Sequence, residues 1–200
     1  MKSKKNLLLA IFFITFCEFS FSQYDWTQGE IILKGGKVIE GLIKLPILSK
    51  NFVNFNGKSI VKLKNENGKK TKFHEHQVEL IKFTYPDSKV AYYKYISVSK
   101  KRKEIFCIII TGKATLYGRL VGVSTSGPAT MSFYDINEFY VIRNNEKIAS
   151  PLITARPSKS FKKRSIKYFN DCPSLINKLK QKILTKKNIF EVVEEYNKCK

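Results

Sequence analysis

The chain of 200 residues is short of the groups that catalysis and metal binding draw on: two histidines, four cysteines and 16 carboxylates stand against 37 lysines and arginines. Only five of those 37 basic residues are arginine, the side chain that grips phosphate or carboxylate with a two-pronged fork. Ten glycines and six prolines exclude collagen-like and low-complexity chains, and 43% hydrophobic residues exclude a disordered basic tail. Past the N-terminus the longest strongly apolar run is Ile105–Ile110, far too short to cross a bilayer as a helix. Nucleotide and acyl-transfer signatures are missing as well. Gly112-Lys113-Ala114 lacks the upstream glycine and the following Ser/Thr of a phosphate loop, and Gly122–Gly127 lacks the G-x-S-x-G spacing of a nucleophile elbow. No pair of carboxylates can be assigned from spacing, and no cofactor is implied.

What is present begins with an address. Lys2, Lys4 and Lys5 precede an apolar run from Leu7 to Phe16, and Ser20 and Ser22 occupy the −3 and −1 positions before Gln23. This is the pattern of a cleavable secretory signal over residues 1–22. A lipoprotein reading would use Cys17, but Phe16 stands before it where lipidation needs a small side chain. The expected mature chain is exported to the periplasm or cell envelope, or beyond it, and has no transmembrane segment. It keeps 34 basic and 15 acidic residues, or +19 on 178 residues, and three cysteines.

Residues 23–155 read as an antiparallel β body, a barrel-like roll or a sandwich. Gly35-Gly36, Asn56-Gly57, Asn67-Gly68, Pro86-Asp87-Ser88, Thr111-Gly112-Lys113 and Asn144-Asn145 punctuate short β-rich segments. The predicted strands are Glu30–Lys34, Lys37–Leu45, Phe52–Phe55, Ser59–Lys64, Thr71–Phe73, Val78–Thr84, Val90–Val98, Ile105–Ile110, Ala114–Val123, Phe139–Arg143 and Lys147–Ala149. Ile105–Ile110 is apolar at every position, as a central strand covered on both faces would be. Glu30-Ile31, Gly36-Lys37 and Gly41-Leu42 are echoed by Glu104-Ile105, Gly112-Lys113 and Gly118-Arg119-Leu120. Glu79-Leu80 through Lys89-Val90-Ala91 is echoed by Glu138-Phe139 through Lys147-Ile148-Ala149. Two related β-units would produce these echoes, and so would chance recurrence of hairpin chemistry.

Residues 156–200 change to helical period. Asp171-Cys172-Pro173 is a start signal, with Asp171 as cap, and Leu175, Ile176, Leu179 and Ile183 mark one face. Asn188 with Glu191 resembles a capping box before a stripe of Ile189, Val193 and Tyr196. The reading is a helical pair packed on the sheet, within a single globular domain. Cys172 and Cys199 stand at its two ends, which an antiparallel hairpin brings together, so a disulfide is expected there and Cys107 is left as a buried thiol.

Two clusters remain as candidate sites. His74-Glu75-His76 would place two imidazoles on one face of a strand, weak candidates for a metal or a hydrolytic base that lack an identifiable third ligand. The alternative is an exposed polar stretch beside a turn. Lys159, Lys162, Lys163, Arg164 and Lys167, interleaved with Phe161, Tyr168 and Phe169, form a candidate anion-binding patch, and Lys100–Lys103 form another basic cluster. Residues 156–200 carry +9 on 45 residues against +10 on the 133 before them. For an exported chain the relevant anions are lipid headgroups or acidic glycans, and nucleic acid is not the expected partner.

Tyr168-Phe169-Asn170-Asp171-Cys172-Pro173-Ser174-Leu175, Lys186–Ile189 and Val192–Cys199, ending Tyr196-Asn197-Lys198-Cys199, resemble the tail of a family of uncharacterised exported proteins of Bacteroidetes bacteria. Gly112–Tyr117 is similar to that family's G-K-[IA]-[ST]-L-Y strand, and Gly36-Lys37 to Ile43 to its opening hairpin. The resemblance implies export, a β-rich body and a helical C-terminus. It carries no activity and no catalytic residue, and the Gly122–Pro128 stretch departs from the pattern. The leading expectation is therefore a non-enzymatic envelope interaction or structural module with envelope proteins as partners. A binder of anionic lipid or glycan is the alternative, and a hydrolase or metal protein using His74 and His76 is the remote one.

Overall fold

The computed structural model describes residues 26–46, 59–85, 88–119, 121, 138–154 and 160–199. Residues 1–22, Cys17, Phe52–Phe55, Asn56-Gly57, Pro86-Asp87, Gly122–Pro128 and Lys159 lie outside the described residues. The described β body is one antiparallel sheet of ten strands: β1 (Thr27–Leu33), β2 (Val38–Lys44), β3 (Ile60–Lys64), β4 (Lys70–His74), β5 (Val78–Thr84), β6 (Val90–Ser99), β7 (Arg102–Ile110), β8 (Ala114–Arg119), β9 (Glu138–Arg143) and β10 (Ser150–Ile153). Their order across the sheet is β10-β9-β8-β7-β6-β5-β1-β2-β3-β4. Gly36 (φ 80°) turns β1 into β2 and Gly68 (φ 76°) turns β3 into β4, positions where a side chain would be strained.

The order forces curvature. β4 and β5 stand four inter-strand steps apart, about 19 Å in a flat sheet. Only residues 75–77 join them, and the Gln77 amide donates to the His74 carbonyl at 2.9 Å. A flat sheet cannot satisfy that bond, so β1–β5 roll around their alternate side chains. Ile31, Ile43, Val61, Leu63, Phe73, Ile81 and Phe83 fill this interior, with Tyr93, Ile105 and Cys107 from β6 and β7. Among the described residues no strand ladder closes the roll. The second half behaves likewise. The Ala149 amide, beside β10, donates to Ser97 O in β6 at 2.8 Å, although the two strands are also four steps apart. Ile96, Phe106, Tyr117, Tyr140 and Ala149 pack inside. β7 serves both halves, with Ile105 and Cys107 in the first cluster and Phe106 and Ile108 in the second, as its unbroken apolar run predicts.

The echoed segments are the hairpins β1–β2 and β7–β8, then β5–β6 and β9–β10. Their pairing does not repeat, because β5 lies beside β1 whereas β9 lies beside β8.

Among the described residues the tail contains the expected helical pair, α2 (Pro173–Lys180) and α3 (Ile189–Lys198), with a 3-10 turn at Lys186–Asn188 between them and a further helix, α1 (Phe161–Tyr168), before them. α1 falls within the stretch read as helical, but its own bounds are not marked in the sequence because four of its eight residues are cationic. Tyr168, Phe169, Leu175, Leu179, Leu184, Ile189, Val192, Val193 and Tyr196 pack on Ala114, Leu116, Phe139, Val141 and Leu152 of β8–β10.

Four local expectations are corrected. Ile183 is 61% exposed because Lys182 turns left-handed (φ 62°) and passes the core position to Leu184. Asp171 does not cap α2, whose N-cap is Cys172 with Pro173 in the first turn; its carboxylate is bound elsewhere. The capping box sits three residues early: Thr185 Oγ1 accepts from the Lys187 amide and Asn188 Oδ1 accepts from the Thr185 amide. The last strand begins at Ser150, not Lys147, because Glu146 folds back and accepts the Arg143 amide.

Cys172 and Cys199 are disulfide-bonded with Cα atoms 6.0 Å apart, and Cys107 is free and buried. Burial pushes the Cys107 thiol up to about 12. The bridge closes a loop of 27 residues, so C172A/C199A should lower stability by about 3–4 kcal/mol in chemical denaturation. A thiol assay of the chain from Gln23 onward should find one thiol, and only after unfolding. Three thiols without reductant would refute the bridge.

Candidate functional site

The arginines, few as they are, mark the organised polar centres. Arg143 ends β9 on the helix-covered face. Its Nε donates to Tyr196 Oη at 2.7 Å and its Nη2 to Asp171 Oδ1 at 2.9 Å and to the Tyr168 carbonyl. Its guanidinium lies 4.5 Å from the Tyr168 ring centre. Tyr196 Oη donates to Asp171 Oδ2 at 2.8 Å, Tyr168 Oη donates to Glu146, and Lys113 Nζ stands 3.4 Å from Asp171. Burial pushes the Asp171 carboxyl upward, but the Tyr196 hydroxyl, its own backbone amide and the charges of Arg143 and Lys113 outweigh it, so the group rests below its ordinary value. Burial and the neighbouring carboxylates raise Tyr168 and Tyr196.

A second contact ties the same helix to the sheet. Asn197 Oδ1 accepts from the Ala114 amide at 2.8 Å, and its Nδ2 donates to the Ala114 carbonyl at 3.0 Å. This close approach needs Gly112, where any Cβ would collide with the Asn197 amide. Tyr168, Asp171, Cys172, Tyr196, Asn197 and Cys199 of the tail thus bind one another, Arg143 and Ala114. Their chemistry is that of a clamp.

The other arginine centre crosses β7, β8 and β9 on the inner face. Arg119 pairs with Glu104 and, at 2.7 Å, with Glu138, while Arg102 reaches Glu104 at 2.7 Å. The Arg119 guanidinium lies 4.3 Å from the Phe106 ring centre, and the three central side chains are nearly buried. Removing one member of such a cluster leaves an uncompensated buried charge, so it favours one strand register over its neighbours.

His74 ends β4 and His76 lies in the turn before β5, so the pair straddles a turn rather than sharing a strand. The rings stack with centroids 5.8 Å apart. Among the described residues no group of three His, Cys, Asp or Glu gathers as a metal site.

The anion-binding candidates are divided by α1. Lys162 Nζ donates to the Lys180 carbonyl at 2.8 Å, and Arg164 donates to Leu152 O at 3.3 Å, so both brace the fold. Lys163 and Lys167 are exposed. Lys100 and Lys101 form the β6–β7 turn, and β7 starts at Arg102.

A denser basic region lies elsewhere. Residues 44–74 hold eight lysines against one acid, Glu66, or +7 on 31 residues. Lys44, Lys62, Lys64, Lys70 and Lys72 fall on the face of β2–β4 opposite Ile43, Val61, Leu63 and Phe73. Sequence alone misses this alignment because it depends on register. The signal for the arginine centres was available in their rarity: Arg102, Arg119 and Arg143 all bind carboxylates.

Comparison with protein-family models, curated proteins and solved structures finds no match to this chain.

A carboxyl lowered by folding stabilises above its unfolded value, near pH 4, and that contribution is lost as pH falls through the folded value. Wild-type protein should therefore lose stability faster than D171N between about pH 5 and about pH 2, as read by denaturant midpoints. Parallel curves would contradict the assignment.

Proposed function

We infer that the protein is exported and acts in the cell envelope as a non-enzymatic interaction or structural module, of the kind its tail resembles. One observation carries this reading: the distinctive tail side chains are spent on the Arg143 clamp and the disulfide, which hold helices to a sheet. A bridged pair of cysteines is also at home in an oxidising compartment.

A second reading, attraction of an anionic lipid or glycan, is supported by the five lysines of β2–β4, none of which makes an ion pair among the described residues.

Export is tested by fractionating cells that express the chain with a C-terminal tag and determining its N-terminus. The expected product begins at Gln23, lies outside the cytoplasm and carries an oxidised Cys172–Cys199 pair. Full-length protein in the cytoplasm with reduced cysteines would overturn the reading.

A further inference from the structure

We propose that the outer face of β2, β3 and β4 binds an acidic polysaccharide, a polymer bearing carboxylate or sulfate groups, through Lys44, Lys62, Lys64, Lys70 and Lys72. The proposal rests on the reading of the chain as a binding module and names its surface and ligand class.

Register places the charges. Lys44 lies opposite Lys62, Lys62 opposite Lys72, and Lys64 opposite Lys70. Neighbouring strands are about 4.8 Å apart and alternate residues about 6.7 Å apart, so the ammonium groups form two short rows on one face. Like charges directly opposite one another destabilise a sheet. Lys82 pairs with Glu30, Lys94 with Glu79, Lys113 with Asp171 and Lys178 with Glu195. These five make no ion pair among the described residues, and neither do the exposed Lys163 and Lys167 of α1; what sets the five apart is that register holds them directly opposite one another.

Edge protection explains part of the pattern. β4 is an edge strand, and lysines on an edge discourage pairing with other chains. That accounts for Lys70 and Lys72. It does not account for Lys44, Lys62 and Lys64, which lie on the interior strands β2 and β3.

The residue types select the ligand. Lysine reads charge density rather than the planar geometry of one phosphate. Surface binding to a bilayer combines basic residues with inserted apolar ones. Of the large exposed apolar side chains, Val38, Val90, Tyr92, Ile148, Ile183 and Phe190, none comes from β3 or β4 and one, Val38, comes from β2, at the opposite end of that strand from Lys44. Trp26, the only tryptophan, lies under Lys64 and Lys70, with their ammonium nitrogens 5.3 and 5.7 Å from its ring. It is not a free platform for a base, and it reports on the patch.

The test uses purified protein titrated with polygalacturonate and with heparin, followed by Trp26 fluorescence and calorimetry. K62E/K70E converts each like-charged row into alternating charges, so its melting temperature should stay level or rise while polysaccharide affinity falls about tenfold or more. K163E/K167E, with the same change in net charge on α1, should change affinity by less than about twofold. Equal losses in the two variants would reduce the effect to diffuse attraction and overturn the proposal. So would no binding, or stronger binding to phosphatidylglycerol vesicles or duplex DNA than to either polysaccharide. Because the titration needs no cell, its outcome is separate from that of the export experiment.

Discussion

Three short helices depend on one guanidinium. α1, α2 and α3 have eight, eight and ten residues, lengths at which an isolated helix is unstable in water. Their order must come from docking, and Arg143 is where the docking converges. It reaches the end of α1 at the Tyr168 carbonyl, the turn into α2 at Asp171 and the last turn of α3 at Tyr196. Lysine could not replace it, since one ammonium lacks the planar fork that serves acceptors in several directions. Asn197 and the disulfide then secure the same end of α3, and buried leucines, valines and aromatics supply the main attraction.

The sheet follows a related logic. Its first half covers one face by rolling, and its second half is covered on one face by rolling and on the other by the helices. β7 is the shared wall. The Arg119 centre ties β7 to β8 and β9, where a register slip of one residue in β8 would send Arg119 to the helix-covered face and strand Glu104 and Glu138 inside. Charge is therefore arranged in two ways in this molecule: arginine with carboxylates in places that specify the fold, and lysine in rows on a face that does not need them for folding.

Local chemistry was largely readable from sequence, and long-range placement was not. Gly36 and Gly68 announced their turns because only a left-handed backbone closes them, and Val78–Thr84 matched its strand because turns bracket it. Cys172 and Cys199 could be paired because helices of similar length run antiparallel. Periodicity failed where a single residue broke it, at Lys182, and Asp171 was misread because a local capping role was displaced by three distant partners. The bounds of α1 were hidden by its own charges. The lysine rows were hidden for a different reason. Lys44, Lys62 and Lys72 are separated along the chain and meet only through cross-strand register, so counting charge by segment pointed to the tail instead.

The central claim is that Arg143 holds the helical tail to an otherwise self-sufficient rolled sheet. Native-state hydrogen exchange of R143K tests it most directly, because it reads each element separately. The account predicts that amides of α1, α2 and α3 lose protection while those of β1, β2 and β5 keep theirs. Uniform loss across the sheet, or unchanged protection in the helices, would contradict it.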